Sequence, residues 1–280
     1  MRPKQQLALV FGGGGARGAC QVGMLQGLFD CGLLDQERLP DLMLGVSVGA
    51  LNAAVFAVRP DVPGLAQLDK LWSTAPLQTL FPRWRTFGYL TNREAAHRPQ
   101  PLRQMIRDNL TIDDLADTKV PLHVLLTDVD RGQEAWFDRG PIVDLLYGSA
   151  AIPGVLPPLR LDGHRYIDGG MVNPNPLRRA VELGATKIVL LLCGSLAPFF
   201  HSKGRPLSTL LMGYSLTQLA LTQRELASQP SSIDIVVLEC GAADSVDALD
   251  FRYSKLLMGA GRRSVIQARE KLTDLLGQDR

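Results

Sequence analysis

The chain has 280 residues, 46% of them hydrophobic, and carries 30 Lys and Arg against 28 Asp and Glu, a net charge of +2. That composition supports a substantial core, and the length reads as one catalytic-size domain over residues 1–280. With charge balanced and no long run of one sign, a nucleic-acid footprint is not expected. The longest nearly uncharged apolar stretch, Ile188 to Phe200, has 13 residues with Gly194 and Pro198 inside it, short of the roughly 20 that span a bilayer. The N-terminal apolar run, Leu7 to Phe11, stops at glycines and is too short for a secretory signal. A cytoplasmic protein is expected, with room for peripheral membrane contact. Cys20, Cys31, Cys193 and Cys240 show no C-x-x-C spacing and read as buried reduced thiols, with no metal and no other cofactor expected.

In chain order, short apolar runs alternate with helical patterns, which predicts an α/β fold on a mostly parallel sheet. Residues 6–11 read as a strand, then the glycines of "GGGGARG", then a helix with Cys20, Met24 and Leu28 on its apolar face and Gly32 just past its end. Leu42 to Val46 reads as the next strand and Ala50 to Val58 as a helix of small residues, with a sharp turn between them. Residues 59–118 look less regular, rich in Pro, Arg and aromatics, and are the expected insertion or lid. "VPLHVLLTDVDRGQEAWFD" reads as two strands joined at Asp130 to Gln133. In "NPLRRAVELGATKIVLLLC", Asn175 reads as an N-cap, Pro176 as the first helical residue, Gly184 as the stop and Lys187 to Leu192 as a strand. Pro206 to Leu226 has apolar residues at helical spacing and reads as a core-packing helix, with a wall of the substrate path as the alternative. Ile233 to Glu239 is the last strand, and helices from about Asp250 to Leu276 close the C-terminal part, 196–280.

Two glycine patterns carry the chemistry. Gly13-x-Gly15-x-x-Gly18 fits a dinucleotide-binding turn, but that use needs an acidic residue at the end of the second strand. The second strand ends instead in Gly45-Val46-Ser47-Val48-Gly49. This is G-x-S-x-G, the pattern that lifts a serine hydroxyl out of a sheet on a strained strand-to-helix turn. The positive end of the following helix favours an anion beside Ser47. The loop Gly12 to Gly15 lies at the carboxyl end of the adjacent strand, where bare backbone N–H groups can converge on an oxyanion. Arg17 either holds that loop in place or binds an anionic head group. For the base, Asp168 in "YIDGGM" follows a short strand, and Gly169 and Gly170 let its backbone approach another segment. His201 alone follows Asp168, as the order Ser, Asp, His requires, and it sits in a polar loop; His97, His123 and His164 read as structural. A two-residue Ser47–Asp168 site is the simpler reading.

The ordered set "GGGGARG", "GVSVG", "SAAIPGVLPP" and "YIDGGMVNPNPLRRAVELGA" resembles the patatin-like phospholipase family, particularly its compact bacterial members. The resemblance covers about residues 7–192, with an echo at "DFRYSKLLMGAGRRS". It implies a three-layer α/β/α fold, metal-free lipid acyl hydrolysis, a catalytic dyad on Ser47 and Asp168, and an oxyanion hole from Gly13, Gly14 and Gly15. Arg17, Gly18, Gly45, Gly49, Gly169 and Gly170 are the supporting motif positions. "SAAIPGVLPP" reads as scaffold, its prolines ending a helix and fixing an extended approach to the strand before Asp168. Residues 59–118 and 196–230 line the acyl and head-group sites on this reading, so head-group and chain preference do not carry over.

The expected substrate is a phospholipid, a lysophospholipid or a simpler ester. A non-catalytic regulatory protein on the same fold is the alternative, opposed by the presence of both Ser47 and Asp168. A dinucleotide oxidoreductase is disfavoured by the missing ribose acid. The segment Phe81 to Tyr89 mixes Phe81, Trp84, Phe87 and Tyr89 with Arg83 and Arg85, a composition suited to an anionic lipid interface. Contact through it predicts that co-flotation with anionic vesicles falls in Trp84→Ala/Phe87→Ala; unchanged flotation would count against it.

Overall fold

The computed structural model describes residues 6–74, 95–197 and 206–277. The aromatic segment Phe81–Tyr89 and His201 lie outside these. Eight strands form one sheet: β1 (Leu7–Phe11), β2 (Leu42–Val46), β3 (Leu122–Asp128), β4 (Gln133–Phe137), β5 (Leu159–Leu161), β6 (His164–Asp168), β7 (Lys187–Leu191) and β8 (Asp234–Leu238). Strands β3, β2, β1, β7 and β8 are parallel neighbours in that order, and β4, β5 and β6 add antiparallel pairings at the β3 side.

Alternation along the central strands divides the core. Leu7, Leu9 and Phe11 of β1, with Met43, Val189 and Leu191, face one layer, while Ala8, Val10, Leu42, Leu44, Ile188 and Leu190 face the other. Both faces of these strands are buried, as a parallel sheet covered on two sides requires. The first layer comprises α1 (Ala19–Asp30), α2 (Val48–Val58), α3 (Val62–Ser73), α4 (Gln100–Asn109), α5 (Ile142–Ser149), and, near the C-terminus, two helices over Ser254–Gln267 and Arg269–Gly277. The second layer contains α6 (Leu177–Glu182) and the lower end of α7 (Pro206–Ala227), where Leu226 meets the core. The α/β expectation is met in three layers.

Three local expectations need correction. Residues 59–118 are not irregular throughout: Asp61 caps α3 by accepting from the Gly64 N–H at 2.8 Å, and α4 buries Leu102 and Ile106. Helix α6 begins at Leu177 with Pro176 as its cap, because the Asn175 side chain is turned away to donate to Thr222 Oγ1 at 2.7 Å. Over residues 212–227 helix α7 does not pack as a core helix, since only Thr222 is buried there. Of the cysteines, Cys20, Cys193 and Cys240 are buried, Cys31 is half-buried, and all four are free. Among the described residues no helix is long and apolar enough to cross a membrane.

A buried polar chain ties the first layer to the sheet. Trp72 Nε1 donates to Asn52 Oδ1 at 2.9 Å, and Asn52 Nδ2 donates to Gln21 Oε1 at 2.9 Å and to the Gly18 carbonyl at 3.0 Å. Gln21 Nε2 in turn donates to the carbonyls of Gly12 and Leu191 at 2.8 and 3.0 Å. These contacts link α3, α2 and α1 to the loop after β1. Asn52→Leu keeps the volume but strands the Trp72 N–H and two acceptors, so unfolding free energy is expected to fall by roughly 2–3 kcal/mol in urea titration. No change would remove the chain from the fold's support.

Candidate active site

The position of the site follows from strand pairing. Strand β4 covers Val124 to Asp128 on one edge of β3. Strands β2 and β6 pair with Met43–Val46 against Leu122–Leu125 and with Tyr166–Asp168 against Leu126–Asp128, so both lie on the other edge. They run toward each other, and their carboxyl ends meet: Val46 stands opposite Leu125 and Asp168 opposite Leu126. The next residue after Val46 is Ser47.

Ser47 has φ 55° and ψ −128°, a conformation that costs a non-glycine residue on the order of 1–3 kcal/mol. The glycines on either side are required by close approach. A Cβ on Gly49 would stand 2.3 Å from the Phe11 carbonyl, and one on Gly45 would stand 2.5 Å from the Ala50 Cα. Ser149, fully buried at the end of α5, holds the turn: its Oγ accepts from the Ser47 N–H at 2.9 Å and donates to the Leu125 carbonyl at 2.7 Å.

Ser47 Oγ donates to Asp168 Oδ2 at 2.6 Å, and both residues are buried. The other carboxylate oxygen accepts from the Gly170 N–H at 2.8 Å. The Asp168 backbone is fixed through its N–H to the Ala151 carbonyl at 3.0 Å and through its carbonyl, which accepts from Thr127 Oγ1 at 2.8 Å. Gly169 passes so close to Leu125 that a Cβ would lie 2.3 Å from its carbonyl. Burial raises the Asp168 carboxyl to about 6, against the opposing pull of the hydrogen bonds from Ser47 and Gly170. His97, His123 and His164 line neither of the cavities that open at Ser47.

The glycine loop comes alongside, and its donors are not equivalent. The Gly13 N–H is already given to the Pro174 carbonyl at 3.0 Å, so the expectation that Gly13 offers an oxyanion donor does not fit this geometry. Its Cα instead packs toward the Ser47 Cβ. Among the described residues the N–H groups of Gly14 and Gly15 have no acceptor, and the Val48 N–H is an orphan donor at the start of α2. Gly15 has φ +58°, and the Ala16 N–H donates to the Ala248 carbonyl at 2.6 Å, which pins the loop from outside. Gly18 lacks a Cβ where Val48 packs. Arg17 donates from Nη2 to Ser215 Oγ at 3.4 Å, its Nε has no partner among the described residues, and it faces the cleft.

Two cavities share Ser47. A mixed cleft of about 150 Å³ is bounded by the glycine loop, Asp168, Arg17, Tyr214 and Asp244 on its polar side and by residues such as Ile152 and Val155 on its apolar side. A smaller pocket of about 50 Å³ is walled by Leu51, Leu71, Trp72, Leu102, Met105 and Phe251, with the Trp72 and Phe251 rings stacked at 5.9 Å. Sequence reasoning passed over Ser149, Asn52, Gln21 and the loop from Asp244 to Leu249. Ser149 opens the stretch that was read as scaffold, and a buried Gln in an apolar helical run was the available sign for Gln21.

Fold and site define an α/β protein whose elbow serine is hydrogen-bonded to a buried carboxylate. Residues 9–181 match the Patatin-like phospholipase family, and the chain belongs to that family. It is 30% identical over 195 residues to neuropathy target esterase sws of Drosophila melanogaster, covering 68% of this chain and 13% of that protein. It is 29% identical over 172 residues to an uncharacterized NTE family protein of Mycobacterium bovis, covering 61% of this chain and 44% of that protein. The chain therefore spans less than half the length of these relatives. Among solved structures, VipD from Legionella pneumophila shares the fold with a TM-score of 0.52 at 12% identity, over 98% of this chain and 67% of that one.

The raised Asp168 carboxyl has a consequence for stability. The folded protein holds that proton more tightly than the unfolded chain, so the folded state is penalised as pH rises from about 4 through about 6 and fully above it. Asp168→Asn keeps an acceptor for Gly170 and removes the buried charge. At pH 8 it is expected to raise the unfolding free energy by an amount on the order of 2–3 kcal/mol, a gain that vanishes toward about pH 4. Equal gains at both pH values would contradict this assignment.

Proposed function

We propose that the protein is a serine lipid acyl hydrolase acting on fatty-acyl esters of phospholipid or lysophospholipid, with Ser47 as nucleophile and Asp168 as base. The 2.6 Å hydrogen bond from Ser47 Oγ to Asp168, where a small apolar pocket and a larger mixed cleft meet, carries this reading. Family membership supports it, as do the words esterase and phospholipase in the names of relatives.

In the proposed reaction Ser47 Oγ attacks the ester carbonyl carbon and its proton passes to Asp168. The N–H groups of Gly14, Gly15 and Val48 are the available donors for the oxygen that gains charge. The alcohol leaves with the proton from Asp168, an acyl-enzyme remains on Ser47, and water activated by the same carboxylate releases the fatty acid. The apolar pocket takes the acyl chain and the larger cleft, with Arg17, takes the alcohol side. Contact with a lipid surface through Phe81–Tyr89 belongs to the same proposal on composition alone.

The first test is intact mass after exposure to a fluorophosphonate, with wild type and Ser47→Ala side by side, followed by fatty-acid release from phospholipid and lysophospholipid. One adduct on wild type and none on the variant is expected; a wild type left unlabelled beside a labelled control hydrolase would overturn the reading. Asp168→Asn should lower kcat/KM by about 10²- to 10⁴-fold, the usual worth of a general base. Because the carboxylate form is the active one and burial places its titration at about 6, wild-type activity should rise with pH through that value and level off above it. Activity that falls as pH rises from 5 to 7 would exclude Asp168 as the base.

A further inference from the structure

Departure of the alcohol leaves an electron pair on its oxygen, and until the proton held by Asp168 reaches it that oxygen gains from a hydrogen-bond donor. On the proposed reading the leaving oxygen faces the larger cleft, whose wall includes the glycine loop, Arg17 and Tyr214. Tyr214 is one of several donors in that wall, beside Arg17, Ser215 and Gln218. Helix α7 carries Tyr214 into the wall of that cleft, and Gln218, one turn further along, holds the phenol in place. Gln218 Nε2 donates to Tyr214 Oη and also to the Gly170 carbonyl at 3.0 Å, while the Gly170 N–H donates to Asp168 Oδ1 at 2.8 Å. The phenol is thus tied to the residue that anchors the base. A Cβ on Gly170 would sit 3.0 Å from Tyr214 Oη and 3.1 Å from Asp168 Oδ1, so the hydroxyl stands beside the carboxylate with only a glycine between them.

The bookkeeping of donors then isolates one proton. Tyr214 Oη accepts from Gln218, and among the described residues nothing accepts from Tyr214. Burial and the nearby Asp168 carboxylate push the phenol far above its ordinary range, so it stays protonated at any working pH.

We propose that Tyr214 is a third catalytic residue, donating a hydrogen bond to the alkoxy oxygen of the ester as its bond to the carbonyl carbon breaks. This rests on the Ser47–Asp168 hydrolase reading. The Ser47 oxygen forms a bond to the carbonyl carbon, and the electron pair of the broken C–O bond goes to the leaving oxygen. The proton that Asp168 took from Ser47 ends on that oxygen. Tyr214 keeps its own proton throughout and stabilises charge only while the oxygen carries it, which is where a donor accelerates the reaction rather than merely binding substrate.

The test compares wild type, Tyr214→Phe and Gln218→Leu on two esters with the same acyl chain, one of p-nitrophenol and one of glycerol. An alkoxide leaving group needs the donor and p-nitrophenolate scarcely does. In Tyr214→Phe, kcat/KM on the glycerol ester should fall about 10- to 100-fold, the range for a hydrogen bond to a charged group. The p-nitrophenyl ester and the rate of fluorophosphonate labelling at Ser47 should change by less than about 3-fold, within the noise of a lost neutral contact. Gln218→Leu, which frees the phenol to rotate, should show the same selectivity more weakly. Equal losses on both esters, or no loss on either, would overturn the role. If wild type hydrolyses neither ester and takes no label, the hydrolase reading itself fails and the role of Tyr214 with it.

Discussion

Everything at this site depends on two strands sharing one edge of a third. With β4 covering Val124 to Asp128 on the far edge, β2 and β6 divide the near edge of β3 and run into each other between Leu125 and Leu126. The Ser47–Asp168 contact is therefore set by sheet hydrogen bonds rather than by a loop that must find its place. Adjacent residues of β3 contribute directly, the Leu125 carbonyl through Ser149 and the Thr127 hydroxyl through the Asp168 carbonyl. A slip of one residue in either pairing would turn the side chains to the opposite face and separate the hydroxyl from the carboxylate.

The same collision imposes costs that the fold has to carry. Ser47 is held at positive φ, Asp168 is buried with its carboxyl pushed up to about 6, and the glycine loop leaves backbone donors without acceptors. Each feature lowers stability, and on the proposed reading each has a chemical use: a hydroxyl lifted into the cleft, a stronger base and a cradle for charge. The compensation lies next door, in central strands buried on both faces and in the Trp72–Asn52–Gln21 chain that clamps the Gly12 and Leu191 carbonyls. Rigid surroundings let a strained turn persist.

The parts legible in the sequence were those encoded locally. The alternation of apolar runs and helices placed nearly every described strand, and G-x-S-x-G with Asp-Gly-Gly named the two residues that meet. Gly45 and Gly49 were readable because their spacing around Ser47 reflects a steric demand within a few residues. Long-range partners were not. Asn175 looked like an N-cap by its position before Pro176, but its amide is drawn to Thr222 across the layer. Gly13 looked equivalent to Gly14 and Gly15 until the Pro174 carbonyl was found on its N–H. The apolar spacing of 206–226 suggests a core helix, whereas over 212–227 only Thr222 is buried and Tyr214 lines the cleft. Ser149 has no local signature, since its use is to bridge two backbone groups brought together by β3.

Among the described residues no histidine lines either cavity at Ser47, which has a physical counterpart in how the carboxylate is held. An imidazole must be fixed in one tautomer and one orientation before it can accept a serine proton, which is why it needs a third residue behind it. A carboxylate has two equivalent oxygens and no tautomer to select. At Asp168 the Gly170 N–H engages Oδ1, the backbone is held at both its N–H and its carbonyl, and Oδ2 is left aimed at Ser47. What remains is basicity, since an exposed carboxylate near its reference pKa of about 4 is a poor proton acceptor at neutral pH. Burial supplies it, because removing water penalises the charged form more than the hydrogen bonds from Ser47 and Gly170 restore it. On the proposed reading, the depth of the site beneath the glycine loop and α7 would thus do the work that a second side chain otherwise has to do.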